Sequence, residues 1–323
     1  MSDLNNKQVL VTGAAGFLGS HLVDALLAQG AKVVGVDNLV TGRKENLVEA
    51  LKNTFFTFIE SDAITSPDSY LPEGFKPDYL FHLASLASPP RYQEHPIETY
   101  AVNAFGTHNI AQYMLAFAPN ARLVFASTSE VYGEPLEHPQ KETYWGNVNP
   151  NGVRSCYDES KRFGEMVCGV HAKTFDLDMR IMRIFNTYGP RMNPIDGRVI
   201  PNFIQQALRN EPITIYGDGK QTRSFCYVDD LVEGMISLML SDTAKSETVN
   251  LGNPVEKTML ELAELIKNAA QSNSIFEFGK LPGDDPSRRS PDISKAKSML
   301  SWEPKVLFET GLQKTIAYFK SMK

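Results

Sequence analysis

From Gln8 to Asn186, short apolar runs alternate with longer stretches in which apolar side chains recur every three or four positions. QVLVT at residues 8–12 reads as a strand, and the helical pattern FLGSHLVDALLAQG that follows closes on Gly30. AKVVGVD, TFFTFIESD, DYLFHLAS and ARLVFASTS read as further strands, separated by helical stretches such as ETYAVNAFGTHNIAQYMLAFA. A helix over Tyr157 to Phe175 leads into the strand DMRIMRIFN. Such alternation predicts crossover units, hence an α/β fold with a doubly wound parallel sheet covered on both faces.

Beyond Asn186 the pattern breaks into TYGPRMNPIDGRVIP, whose prolines and glycines suit a loop crossing between lobes. CYVDDLVEGMISLML and TVNLG read as a helix and strand that return to the first sheet. LELAELIKNAA and TGLQKTIAYFKSM read as amphipathic helices. The expected layout is one domain over 1–187 and 229–252. A smaller, discontinuous C-terminal α/β domain, which binds substrate, takes 188–228 and 253–323.

Composition narrows the classes. The 323 residues are 42% hydrophobic, enough for a large core without covalent staples. The net charge of -6, with basic residues scattered, gives no field to hold a nucleic acid or an anionic membrane. Cys156, Cys168 and Cys226 form no CxxC pair, which points to a reducing cytoplasm. No apolar run approaches the roughly 18 to 20 residues of a membrane span. The dispersed histidines show no ligand spacing, so no metal is expected.

The candidate chemistry sits at strand ends. TGAAGFLG places Gly13, Gly16 and Gly19 between the first strand and helix, where absent side chains let backbone amides approach a pyrophosphate. Asp37 closes the second strand about 20 residues on, placed to accept both adenosine ribose hydroxyls; that favours NAD over NADP. Asp62, ending the third strand, is placed to meet the adenine edge, or else caps a helix. Tyr157 and Lys161 lie four apart on one helix face. With a cationic nicotinamide beside them, the lysine is expected to draw the phenol's pKa down from about 10, so that Tyr157 removes an alcohol proton.

TGAAGFLG, STSEVYG and YDESK together resemble the extended short-chain dehydrogenase/reductase family acting on nucleotide sugars. YWGNVNPNGVRSCYDESKR, RIFNTYGPRMNPIDGRVIPNFI, YGDGKQTRSFCYVDDL, NLGNP and DDPSRRSPDISKAK are similar to its UDP-glucuronate-decarboxylating branch, over Gln8 to Phe319. The resemblance implies a Rossmann-type fold, bound NAD, a UDP-sugar substrate and a homodimer formed through helices near residues 99–117 and 157–175. It implies C4 oxidation, loss of CO2 and re-reduction to UDP-xylose. Tyr157 becomes the base, Lys161 its tuner and ribose ligand, Thr128 a hydrogen-bond partner of the reacting oxygen, and Glu130 with Ser129 the group serving C5. Ser127 is expected to share in the oxidation.

The resemblance implies further cofactor contacts at Phe17 and Leu18 beside the glycines, at Asn38, Thr41 and Gly42 after Asp37, and at Ala63 after Asp62. Leu83, Ser85, Ala126, Thr187 and Arg198 complete that set. On the substrate side, Ser85, Arg154, Asn186, Arg191, Arg223 and Arg288 are implied, with Arg289 replacing Arg288 if the register shifts by one; Arg154 is placed to orient the departing carboxylate or, instead, to bind a loop carbonyl. The rival readings are a nucleotide-sugar 4,6-dehydratase, whose pattern STDEVYG has an acid where Ser129 stands, a 4-epimerase, which leaves Glu130 without a task, and a non-catalytic NAD-binding regulator.

Overall fold

The computed structural model describes residues 4–281, 283, 286 and 288–322; Asp284, Asp285 and Ser287 of the DDPSRRSP segment lie outside them. The alternation read from the sequence is present. It runs β1 Gln8–Thr12, α1 Phe17–Ala28, β2 Lys32–Asp37, β3 Phe56–Glu60 and β4 Tyr79–His82, then the short helices α2 Pro89–Glu94 and α3 Pro96–Ala101. It continues with α4 Thr107–Phe117, β5 Arg122–Thr128, α5 Ser155–Phe175 and β6 Asp178–Ile184. After β7 Thr187–Tyr188 come α6 Val199–Arg209, β8 Ile213–Tyr216, β9 Thr222–Ser224, β10 Cys226–Tyr227, α7 Val228–Leu240 and β11 Thr248–Leu251. The chain ends in β12 Glu256–Thr258, α8 Met259–Ala270, β13 Phe276–Gly279, β14 Arg288–Arg289, α9 Ser294–Leu300 and α10 Phe308–Ser321.

Among the described residues, seven strands form one parallel sheet in the order β11-β6-β5-β4-β1-β2-β3. Chain direction across the sheet reverses between β1 and β4, and at such a point the loops beyond the strand ends part and leave a crevice. Buried runs such as Val9 to Val11 and Leu123 to Phe125 have their side chains covered on both faces, as a parallel sheet requires. Short strands build the second lobe: β12, β9 and β14 form one sheet, β8 and β13 another. One apolar cluster runs from Val9 and Leu22 through Val228 and Met235 to Ile213, Leu262 and Phe319, so the lobes share a core.

The stretch expected as one helix over residues 98–118 is broken. Between α3 and α4 the chain widens into a π-helical turn over Val102–Gly106. There Gly106 packs where a side chain would meet Ala63 O at 2.8 Å, and Val102 O receives the Nε2 proton of His82 at 3.3 Å. Burial drives the His82 pKa down to about 3, so the ring is neutral and its Nδ1 accepts from Thr12 Oγ1 at 2.7 Å. This histidine ties β4 to β1 under the crevice.

Candidate active site

A cleft of about 800 Å³ opens at the strand ends where β1 and β4 part. Its floor is the glycine turn. Gly13 has φ +74°, and a Cβ there would lie 2.8 Å from Ala84 N. A Cβ on Gly19 would stand 2.0 Å from Gly13 O, so only glycine lets the turn pack on the helix. Gly16 precedes α1, and Phe17 and Leu18 open it; the first amides of any helix lack intrahelical acceptors. The bare backbone and positive helix end fit a pyrophosphate.

Asp37 ends β2 with its carboxylate fixed by Ala15 N at 3.0 Å and Leu39 N at 2.8 Å. Burial pushes its pKa up while those amides oppose the rise. A Cβ at Gly42 would sit 2.5 Å from Asp37 Oδ1, so this glycine keeps the carboxylate's surroundings open. Asn38 and Thr41 line the same wall, and Asn38 Nδ2 donates to Asp62 Oδ2 at 3.3 Å, with Ala63 next in line. A buried acceptor at one end and an amide-lined turn at the other match the two ends of an adenosine diphosphate.

The reactive end lies across the sheet. Lys161 on α5 is 2% exposed, donates to Ala126 O at 2.7 Å and stands 5.8 Å from the centre of the Tyr157 ring. Burial lowers its pKa to about 7, opposed by the charge of Glu165. For Tyr157 the expected lowering is absent from the protein's own groups. Burial pushes the phenol well above its ordinary value, against a hydrogen bond with Thr128. The lysine's proton is directed to a main-chain oxygen, so its charge offsets too little of the desolvation.

Tyr92, which sequence reading missed, stacks on Tyr157 with ring centres 5.1 Å apart and planes 5° from parallel. Its hydroxyl and that of Ser85 are buried, and neither has a hydrogen-bond partner among the described residues. Tyr92 sits on α2 in SPPRYQEH, a segment too short to show a period; the Pro pair at the helix start was the available signal. Leu83 and Ser85 follow β4 and line the cleft with Ala126 and Thr187.

Thr128 caps a short 3-10 turn, Ser129–Tyr132, by accepting from Glu130 N at 3.2 Å. That turn carries Glu130 into the cleft, between Arg154 NH2 at 2.9 Å and the guanidinium of Arg289. Burial alone would raise the Glu130 pKa, but Arg289, then Arg154 and Arg223, outweigh it and hold the carboxyl below its ordinary value. Ser129 Oγ accepts from Arg289 at 3.3 Å. Ser127 also lines the cleft; its hydroxyl donates to Glu165 on α5 at 2.5 Å, and Arg183 holds that carboxylate at 2.7 and 2.9 Å.

The structure separates Arg288 from the cleft. Its guanidinium is 56% exposed and 3.7 Å from Glu256, whereas Arg289 is 2% exposed and lines the site. Adjacent strand residues face opposite ways, so the one-residue alternative is the one that points inward. Arg154 is committed to Glu130, on the cleft wall. Arg223 donates to Thr222 O and Pro286 O at 2.8 and 2.5 Å, and Asn186 lines the cleft beside it. Arg198 is paired with Asp196 through two bonds of 2.6 Å. Arg191, at φ +67°, holds Asp24 at 2.6 Å. No group of three His, Cys, Asp or Glu among the described residues is placed to hold a metal.

A dinucleotide-binding turn, a Tyr–Lys pair and a second, arginine-rich wall facing them define an NAD-dependent enzyme of sugar nucleotides as a class. The chain belongs to the NAD dependent epimerase/dehydratase family, which it matches over residues 9–252. More particularly, it is 50% identical to UDP-glucuronic acid decarboxylase 1 of Arabidopsis thaliana, across 97% of this chain and 70% of that one. The UDP-glucose 4-epimerase of Thermotoga maritima, solved with UDP-glucose, superposes with a TM-score of 0.88 at 31% identity, over 98% of this chain and 99% of that one. The UDP-glucuronic acid 4-epimerase of Bacillus cereus, in complex with UDP-glucuronic acid and NAD, gives 0.87 at 28% identity, over 98% and 100%.

Proposed function

We propose that the chain is an NAD-dependent carboxy-lyase that converts UDP-glucuronate to UDP-xylose and CO2. The observation that carries this reading is the ionised Glu130, gripped by Arg154 and Arg289 one turn beyond the Thr128–Tyr157 pair. Gly13, Gly16 and Asp37 would hold NAD, which would supply hydride chemistry at C4 and a positive charge to counter the upward shift of the Tyr157 phenol. Tyr157 takes the proton of the C4 hydroxyl, and Thr128 holds that oxygen. With a ketone at C4, the C5 carboxylate is that of a β-keto acid. Its loss leaves an enolate whose charge rests on the oxygen that Tyr157 and Thr128 hold.

C5 must then gain a proton. Glu130, fixed in direction by two guanidiniums, orients the water or proton for that carbon. Ser129 stands beside it with no acid to expel a hydroxyl, so carbon dioxide leaves and water does not. Arg223 and Asn186 suit the diphosphate and uridine, because a planar donor fork matches phosphate oxygens. Incubation with UDP-glucuronate is expected to yield CO2 and UDP-xylose with no net NADH. UDP-galacturonate without CO2 would make the chain a 4-epimerase, and released 4-keto sugar with stoichiometric NADH would make it an oxidative decarboxylase.

We place two copies of the chain in the working unit and the enzyme in the cytoplasm. Phe105, Phe163, Met166 and Val170 are 45–53% exposed around an apolar groove between the π-helical turn and α5. A second copy covers this face best, since the same stripe supplies both halves of a two-fold contact. Sedimentation is expected to give a dimer for the natural chain and a monomer for Phe163→Glu; an unshifted dimer would move the interface elsewhere. The free cysteines Cys156, Cys168 and Cys226 suit a reducing compartment. No helix among the described residues is long and apolar enough to cross a membrane.

A further inference from the structure

Arg289 enters the cleft from a strand of two residues, β14, which pairs with β9 on one side only. So short a strand does not fix a long side chain by itself. What meets the chain just past it is Gln140, 0% exposed, on the loop that leaves the Glu130 turn. Gln140 binds Ser290 at both main-chain groups: its own N–H donates to Ser290 O, and its side-chain Oε1 accepts from Ser290 N, each at 2.9 Å. Its main-chain oxygen accepts from Asp292 N at 2.8 Å and from Asn250 Nδ2 at 3.0 Å. The amide's orientation is unambiguous. Oε1 must accept from Ser290, so Nε2 donates to Glu137 O at 2.8 Å.

We propose that Gln140 is a positioning residue: by gripping Ser290 it fixes the Arg289 guanidinium against Glu130, and it thereby governs the step that follows C4 oxidation. The inference rests on the decarboxylase reading and assigns that site a further determinant. The other contacts of Arg289, to Ser129 Oγ at 3.3 Å and Gly133 O at 2.9 Å, also belong to the Glu130 turn. The two walls of the cluster are therefore joined twice, once through Arg289 and once through Gln140. Slackening the second join leaves Tyr157, Lys161 and the cofactor wall untouched, because none of them contacts this loop through a described hydrogen bond.

Among the described residues, the charged and titratable groups around Gln140 are Glu137, Lys141 and, at 3.4 Å, His138 on its own loop, Glu256 bound to His138 at 2.9 Å, Glu142 bound to Asn250 N at 2.8 Å, Asp292, and Arg289 itself. Gln140→Leu removes the acceptor for Ser290 N and leaves that buried donor unsatisfied. Gln140→Glu is the informative partner. Protonated, its carboxyl accepts from Ser290 N and donates to Glu137 O, as the amide does; ionised, it sets a negative charge against Glu137 O, and that repulsion drives the side chain off the place from which it grips Ser290.

The test follows single turnovers with UDP-glucuronate, reading NADH absorbance for C4 oxidation and CO2 for the next step, with NAD affinity measured alongside. Gln140→Leu is expected to bind NAD normally and to oxidise C4 within about threefold of the natural enzyme. Its CO2 release should fall about tenfold or more, with NADH accumulating. Gln140→Glu is expected to recover CO2 release towards acid pH and lose it towards alkaline pH, each point normalised to the natural enzyme. Equal loss of oxidation and CO2 release, weakened NAD binding in both variants, or unchanged CO2 release would overturn the proposal. If the natural enzyme itself oxidises UDP-glucuronate but releases no CO2, it is the decarboxylase reading that fails.

Discussion

Glu130→Gln is expected to stop CO2 release almost completely while NAD remains bound. In the natural chain the carboxylate is buried and held ionised by Arg289, Arg154 and Arg223. An amide keeps the shape and loses the charge. Two consequences follow from one change: C5 loses the group that orients its proton, and two buried guanidiniums lose their shared counter-charge. Positioned acid–base groups are worth about 10²- to 10⁴-fold, and breaking a buried pair from one side costs about 3–5 kcal/mol. The turnover of CO2 should fall by about that factor, and the midpoint of thermal unfolding should drop as well. CO2 release within tenfold of the natural enzyme would show that Glu130 only braces the arginines.

Lys161→Met is expected to remove C4 oxidation and, at neutral pH, to stabilise the fold. The lysine's ammonium lies under the Tyr157 ring in a place where burial brings its pKa from 10.5 to about 7. Between those values the unfolded chain binds more protons than the folded one, so this group makes stability rise with pH across the window. Below about pH 7 the whole burial penalty is present; near pH 10.5 it has gone. A methionine fills the same channel without that penalty. The variant should therefore unfold a few degrees higher than the natural chain at pH 6 and show little gain at pH 10. Its NADH burst with UDP-glucuronate should shrink by about two orders of magnitude or more. A variant equally active, or less stable at pH 6 than at pH 10 relative to the natural chain, would contradict the assignment.

How far the sequence was readable depends on the length of each signal. Apolar runs such as QVLVT and RLVFAST are long enough for their burial pattern to name a covered parallel strand. Gly13, Gly16, Gly19 and Asp37 keep a fixed spacing because the turn and the next strand end are covalently close. The second lobe gave no such signal. β7, β9, β10 and β14 span two or three residues, too few for a period of two to appear. For the same reason Arg288 could not be told from Arg289: parity on a strand is set by its partner, here β9, which is distant in the chain. Tyr92 and Gln140 act through contacts that no local pattern encodes. For Tyr157, spacing reveals the neighbouring charge but not the depth of burial, which in the protein alone raises the phenol before a cationic nicotinamide acts on it.

The shared apolar core beneath the two lobes has a consequence for how substrate gets in. Val228 and Met235 of α7 pack in the same cluster as Val9 of the large sheet and Ile213 and Leu262 of the small lobe. Swinging the lobes apart would bring that surface into water, at about 25 cal/mol for each Å² exposed. Admission is left to the segments lying over the cleft, Ser85 to Tyr92 and Asn193 to Arg198, which line it without belonging to that core. The core thus ties the two walls of the cleft to each other, and the segments over its mouth are the part that can shift without exposing that surface.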